Sequence, residues 1–192
     1  MPTISPFPAM RPVNSSLAME FIRFRLEPQG TALEQFGYAH CREYLTHLLD
    51  SESYMTGKPA IYLYGYTPKL GRPSLGIWAV TNAQDFKTGN IISCEMGSAD
   101  RAELAYEYRK TVGMEGSPVL IGYEQDDQLS ELINLVLSSK GGRSFRDEQG
   151  VHEIWKINRE HLIEKFRAAF SRLSSCYLIE GKDRVLAALQ LQ

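Results

Sequence analysis

The chemistry in this chain concentrates at its carboxyl end. There Gly181-Lys182-Asp183-Arg184 follows the apolar run Tyr177-Leu178-Ile179 and precedes Val185, Leu186 and Leu189 at helical spacing. That order reads as a buried strand, a glycine turn and an amphipathic helix. A helix start leaves backbone N–H groups without partners and carries the positive end of the helix dipole, and Lys182 and Arg184 add two cationic side chains. The turn is thus equipped to hold a phosphate or another small anion. The plainer use of the same residues is structural: Gly181 makes a tight turn, Asp183 caps the helix and Arg184 is solvated. Glu95 is the second candidate, a carboxylate at the end of the strand-like segment 90–96. Such a group can act as a general base or carry a metal-nucleotide complex; its plainer reading is an exposed strand end.

Other clusters carry less. His152-Glu153-Ile154-Trp155-Lys156 opens like a zinc-protease helix, but Lys156 stands where the second histidine must be, and the segment alternates like a strand. Gly141-Gly142-Arg143-Ser144 lacks the Gly-Lys-Ser/Thr ending of a phosphate-binding loop and reads as a turn. His40 and His47 lie two turns apart on one predicted helix, too far to share a metal without further ligands, and read as surface or packing residues. Cys41, Cys94 and Cys176 are widely spaced and odd in number, which fits neither a disulfide framework nor a zinc ribbon; each reads as a small buried hydrophobe.

The segment from Tyr177 through Leu189 resembles the Tyr-Ile-Ala-Asp-Gly-His-His-Arg-Tyr-Ala-Ala-Ala-Leu signature of the bacterial and archaeal "domain of unknown function 1015" family. Gly181 and Arg184 match it, Lys182 and Asp183 replace its paired histidines, and Glu180 replaces its aspartate. The resemblance extends along the chain. Pro6-Phe7-Pro8-Ala9-Met10-Arg11-Pro12 is similar to the family opening, and Pro118-Val119-Leu120-Ile121-Gly122-Tyr123 to its Pro-Val-Phe-Leu-Leu-Tyr strand. Ala60-Ile61-Tyr62-Leu63-Tyr64 and Leu75-Gly76-Ile77-Trp78-Ala79-Val80 stand where its paired strands stand, and His152-Glu153-Ile154-Trp155 matches its His-x-x-Trp. Two family segments are missing: no Pro-Pro-Tyr-Asp follows Val13, and Cys94-Glu95-Met96-Gly97 replaces a His-Glu-Lys-Thr. The resemblance implies a ParB/sulfiredoxin-like fold related to free-serine kinases, with phosphates at the Gly-x-x-Arg turn and ATP, ADP or CTP with magnesium as cofactors. Members of the family are longer, so the chain is expected to lack their C-terminal half.

Composition bounds the partners. A chain of 192 residues with 43% hydrophobic and 23% charged residues has enough apolar material for one core. Two independent domains would be cramped, so residues 1–192 are expected to form one, with 1–19 as an extended proline-rich arm. No apolar run approaches the roughly 18 residues that span a bilayer. Pro2, Pro6, Pro8 and Pro12 interrupt any signal-peptide core, so the expected location is the cytoplasm. A formal net charge of −2 without a long basic run argues against nucleic acid.

The elements that must position these groups follow from periodicity. Residues 20–26 alternate like a strand, and 31–49 are helical with Thr31 as cap. Residues 60–66 and 75–81 form a long-looped hairpin that 90–96 extends into an antiparallel meander through a turn-like 85–90. Residues 98–112 form a charged helix capped by Ser98, 117–123 a buried strand and 129–137 an amphipathic helix. Gln149-Gly150 turns a further hairpin between 143–147 and 151–157, and Asn158 caps the helix that leads into the signature strand. The expected fold class is α+β, a mixed, largely antiparallel sheet flanked by helices.

Three functions remain open. The first is a phosphate- or nucleotide-binding module whose catalytic groups are degenerate, with Gly181, Lys182, Asp183 and Arg184 at the anion. The second is a phosphotransferase acting on a small hydroxyl compound such as serine, with Glu95 as base or metal carrier. The third is a structural or interaction protein, in which the apolar C-terminal helix packs against a second copy as a homodimer.

Overall fold

The computed structural model describes residues 2–13, 32–94, 96–115 and 117–191. The strand expected over 20–26 and the Thr31 cap lie outside the described residues. The longest strands are β4 (Ile61–Pro68) and β10 (Gly150–Ile157), and they pair antiparallel along their whole length, from Ile61↔Ile157 to Pro68↔Gly150. β5 (Ser74–Trp78) flanks β4 and β9 (Arg143–Arg146) flanks β10, giving a four-stranded antiparallel sheet in the order β5-β4-β10-β9. Strand alternation sends Ile61, Leu63 and Ile157 into the core and turns Tyr62, Tyr64 and Tyr66 to the opposite face.

The expected meander does not form. Residues 75–81 divide into β5 and β6 (Val80–Thr81), and β6 pairs with β1 (Ile4–Ser5) instead of continuing the hairpin. β7 (Ile91–Ser93) leaves that sheet altogether and lies parallel to β11 (Cys176–Glu180), with Ile91 opposite Cys176. β8 (Leu120–Tyr123) closes the other side antiparallel, making a separate three-stranded sheet in the order β7-β11-β8. The single mixed sheet expected is thus divided: among the described residues there are a four-stranded sheet, a three-stranded sheet and two strand pairs, with parallel pairing confined to β7 and β11.

Residues 2–13, the described part of the expected proline-rich arm, are tied to the rest of the chain. β1 pairs with β6, β2 (Met10–Pro12) pairs with β3 (Tyr54–Thr56), and Thr3 N–H and Oγ1 both donate to the buried Asp85 carboxylate, at 3.0 and 3.1 Å. Asp85 sits on α2 (Gln84–Lys87), a short helix where a turn is expected, and also accepts from Asn90 Nδ2 at 2.9 Å. A buried carboxylate must be hydrogen-bonded, and these donors explain why it is tolerated.

Two helices, α4 (Asp127–Leu137) and α5 (Glu160–Phe170), supply Leu129, Leu132 and Val136, and Ile163, Phe166 and Phe170, to the main core. That core also takes Ile61, Leu63 and Ile157 from the larger sheet and Ile91, Cys176 and Leu178 from the smaller one. Asp126 caps α4 through Leu129 N–H at 2.8 Å; α5 begins after Arg159 without a side-chain cap, so Asn158 does not have the expected role. The last helix, α6 (Lys182–Gln190), buries Val185 and Ala187 more deeply than Leu186 and Leu189, and Leu191 beyond it is 40% exposed.

A smaller core lies between α1 (Ala32–Asp50) and α3 (Ala99–Val112): Cys41 and Leu45 pack on Tyr108 and Val112. Gly37, at φ 68° and ψ 161°, breaks α1 into two pieces where a continuous helix is expected. His40 and His47 are both exposed, and His40 lies 3.9 Å from Glu43. Cys41 and Cys176 are buried as expected, whereas Cys94 is exposed. Within the smaller core, the Tyr108 hydroxyl is buried with no hydrogen-bond partner among the described residues, and burial pushes its pKa up, making it a weaker acid. An unpaired buried hydroxyl costs about 1–3 kcal/mol, so Tyr108→Phe is expected to leave stability unchanged or raise it by about 1 kcal/mol. A fall of that size in urea unfolding would show that the hydroxyl has a partner, such as a buried water.

Candidate functional site

Two strand-turn-helix units lie side by side. β7 is followed in the chain by α3, β11 runs through Gly181 into α6, and the two strands are parallel neighbours. Both helices therefore start at the same edge of the small sheet, beyond the carboxyl ends of its parallel strands, where open α/β sheets place their ligands. The helices also pack on each other.

Gly181 is the N-cap of α6 and the reason the turn is possible. It sits at φ 102°, in the left-handed region, and its carbonyl accepts from Val185 N–H at 3.1 Å. A Cβ there would lie 2.8 Å from Val119 Cγ1 and 3.0 Å from Arg184 Nη2, so only glycine fits. Gly181 and Arg184, which the sequence joins only by spacing, are thus brought into contact: the guanidinium lies across the turn. Its Nη2 donates to the Pro118 carbonyl at 3.1 Å, while Nε is buried with no hydrogen-bond partner among the described residues. Arg184 is half-buried, not solvated as its plainer reading holds.

Asp183 does not cap its own helix. Its Oδ1 accepts from Ser98 N–H at 2.7 Å, placing the carboxylate at the start of the neighbouring helix, α3. Ser98 caps α3 as expected, accepting from Arg101 N–H at 3.4 Å. The positive end of α3 is thereby matched by an internal anion, and the two helix starts are tied together. Gly97 seals the join: a Cβ on it would come within 2.9 Å of both Lys182 Cγ and Leu186 Cδ1.

Glu95 itself lies outside the described residues. Its neighbours Cys94 and Met96 are exposed, and the Cys94 amide donates to Leu178 O at 3.4 Å, continuing the β7–β11 ladder. Cys94 thus lies beside β11, and Gly97 beside the α6 turn. Among the described residues no group of three or more His, Cys, Asp or Glu is arranged to hold a metal ion. The site's hidden members were Ser98, Pro118 and Val119; each joins it through the fold of the small sheet, which no local signal announces.

His152 lies on the larger sheet, with Nδ1 2.7 Å from the Tyr64 hydroxyl. No helix among the described residues is long and apolar enough to cross a membrane.

The family model described as "Protein of unknown function (DUF1015)" matches residues 14–192. No curated protein and no solved structure matches the chain.

Proposed function

The chain belongs to the family of proteins of unknown function DUF1015, and from that premise we propose that it is a phosphate- or nucleotide-binding module with its anion at the α6 turn. The observation that carries this reading is the placement of Arg184 across Gly181, with a buried Nε that has no partner among the described residues at the positive end of a helix. A bound oxyanion would take hydrogen bonds from the first-turn N–H groups of α6 and charge from Arg184 and Lys182. Asp183 positions the turn through Ser98 in this reading and does not touch the anion. The kinship to ParB/sulfiredoxin-like proteins, and ATP, ADP or CTP with magnesium as ligands, belong to the same proposal.

Titration calorimetry of the purified chain against phosphate, ATP, ADP and CTP with magnesium tests it. Arg184→Ala is expected to weaken whichever ligand binds by about 1.5–3 kcal/mol, the worth of hydrogen bonds from a charged donor, or roughly ten- to a hundredfold in Kd. Unchanged affinity in that variant would move the site elsewhere.

The packing of Gly97 against Lys182 favours one alternative, a nucleotide-dependent phosphotransferase acting on a small hydroxyl compound, because Gly97, two residues from Glu95 in the chain, lies beside the turn. Phosphoryl transfer is mostly positioning and charge stabilisation, and Glu95 would supply the base or carry the metal. Nucleotide turnover in the presence of serine distinguishes the two: the phosphotransferase requires it, and the binding module shows none.

A further inference from the structure

Register divides the four-stranded sheet into two unlike faces. One turns Ile61, Leu63 and Ile157 to the core; the other carries aromatic rings, the cations Arg143 and Lys156, and no acid at any strand position. The rings stand in rows. On that face Phe145 of β9 stacks on His152 of β10 at 4.6 Å and 4°, and Tyr66 of β4 stacks on His152 from the other side at 4.9 Å and 30°. Neighbouring strands lie about 4.7–4.9 Å apart, so each ring stands upright with its faces toward the adjacent strands. Next in the row is β5, and there the register sets Ser74, exposed and without a ring, opposite Tyr66. The row therefore ends on an open ring face. Beside it Tyr64 stacks at 4.4 Å on Trp78 although its register partner is Gly76, so Trp78 leans along β5 and leaves its far face toward the sheet edge. A Cβ on Gly76 would meet nothing within 4 Å, and the hollow between Ser74 and Trp78 is floored by backbone alone.

Charge on this surface has one sign. Lys69 and Arg72, in the loop that joins β4 to β5, add to Arg143 and Lys156; all four are exposed, and none forms an ion pair among the described residues. Arg72 stands two residues before Ser74, at the open end of the ring row. Asp147 and Glu148 lie in the turn between β9 and β10, and Asp147 Oδ1 is engaged by the N–H groups of Gln149 and Gly150 at 2.8 and 2.9 Å. The formal net charge of −2, which argues against nucleic acid for the chain as a whole, is an average that this face does not share.

We infer that this face docks single-stranded nucleic acid, with one base continuing the Phe145–His152–Tyr66 row over Ser74, another stacked on the far face of Trp78, and the phosphates drawn to Lys69, Arg72 and the unpaired charge of the face. Charge complementarity and the open ring faces together select the occupant. An acidic peptide satisfies the cations and leaves the rings unused, and a neutral sugar does the reverse; a single strand alternates planar bases with phosphates and uses both. With few cations in play the contact is short. Its salt dependence is shallow, a slope of about −1.5 to −3 in log K against log salt for about two to four phosphates. The face belongs to the larger sheet, and the inference does not rest on the anion turn.

Fluorescence anisotropy of a labelled oligoadenylate of about ten nucleotides, titrated with the full chain at low salt, tests the inference. The wild type is expected to bind it, and to bind an abasic strand of the same length, or the same sequence as a duplex, at least about fivefold more weakly, since neither offers free bases. Ser74→Ile fills the place beside Tyr66 at an exposed strand position, and is expected to weaken binding by roughly five- to a hundredfold, the worth of one stacked base. Lys69→Gln with Arg72→Gln is expected to flatten the salt slope by about 1.4. Absence of saturable binding at low salt, equal affinity for the abasic strand, or an unchanged affinity in Ser74→Ile overturns the inference. The comparison with the abasic strand uses only the wild type and decides it even where a variant fails to fold.

Discussion

Gly181→Ala is expected to destabilise the protein by about 2–6 kcal/mol and to abolish the proposed anion binding at the α6 turn. Two costs add. The backbone at φ 102° is one that a side chain adopts only with strain, worth about 1–3 kcal/mol, and the new Cβ would stand 2.8 Å from Val119 Cγ1 and 3.1 Å from Val119 Cβ. Relieving that overlap by moving the chain costs a further amount of order 1–3 kcal/mol, typical of overpacking. The two parts separate in a double mutant. Val119→Ala on the Gly181→Ala background should recover part of the steric share and none of the backbone share, so urea unfolding of the four proteins in the cycle measures each. Losses of less than about 0.5 kcal/mol in the single variant would mean the turn is not built as described.

Phe166→Ala is expected to cost about 3–5 kcal/mol, because the ring is wholly buried and its removal combines lost burial with a cavity. The position gives the loss wider meaning. Phe166 belongs to an apolar cluster that also takes in Leu63 of the larger sheet and Leu178 of the smaller, so its loss falls on a core that both sheets share. Against a total stability of about 5–15 kcal/mol, such a loss leaves a marginal protein at best. The urea midpoint should fall with the slope unchanged if the sheets unfold together. Two separate transitions would show instead that they are independent in stability.

Local chemistry was legible in the sequence wherever one segment decides the outcome. Ser98 before a charged helix, Gln149-Gly150 between alternating runs, and the strand-turn-helix around Gly181 each form as their residues dictate. Pairing was not legible, because it is settled by partners distant in the chain. Residues 91–93 have the composition of a third meander strand, yet they pair with 176–178, and nothing in Ile91-Ile92-Ser93 names that partner. Asp183 shows the same limit at the level of one side chain. Its sequence position favours capping α6, but the fold offers it the unpaired N–H of Ser98, and that long-range donor wins. The Tyr64 and His152 contact is likewise a product of register: β4 and β10 set Tyr66 opposite His152, and Tyr64 reaches the ring from the neighbouring position on the same face.

The place of β11 in the small sheet also governs the order in which the molecule can assemble. It is the last strand described, yet it is the middle one, so β7 and β8 have no partner in that sheet until residues 176–180 are available. The larger hairpin of β9 and β10 needs only a short turn and can form early, whereas closing β7 onto β11 requires a long loop to be ordered first. The proposed anion turn follows β11 directly, so the groups that would recognise a ligand come together only with that late pairing. During synthesis, two short apolar strands wait with open edges, and that interval is when the chain is most exposed to pairing with the wrong neighbour.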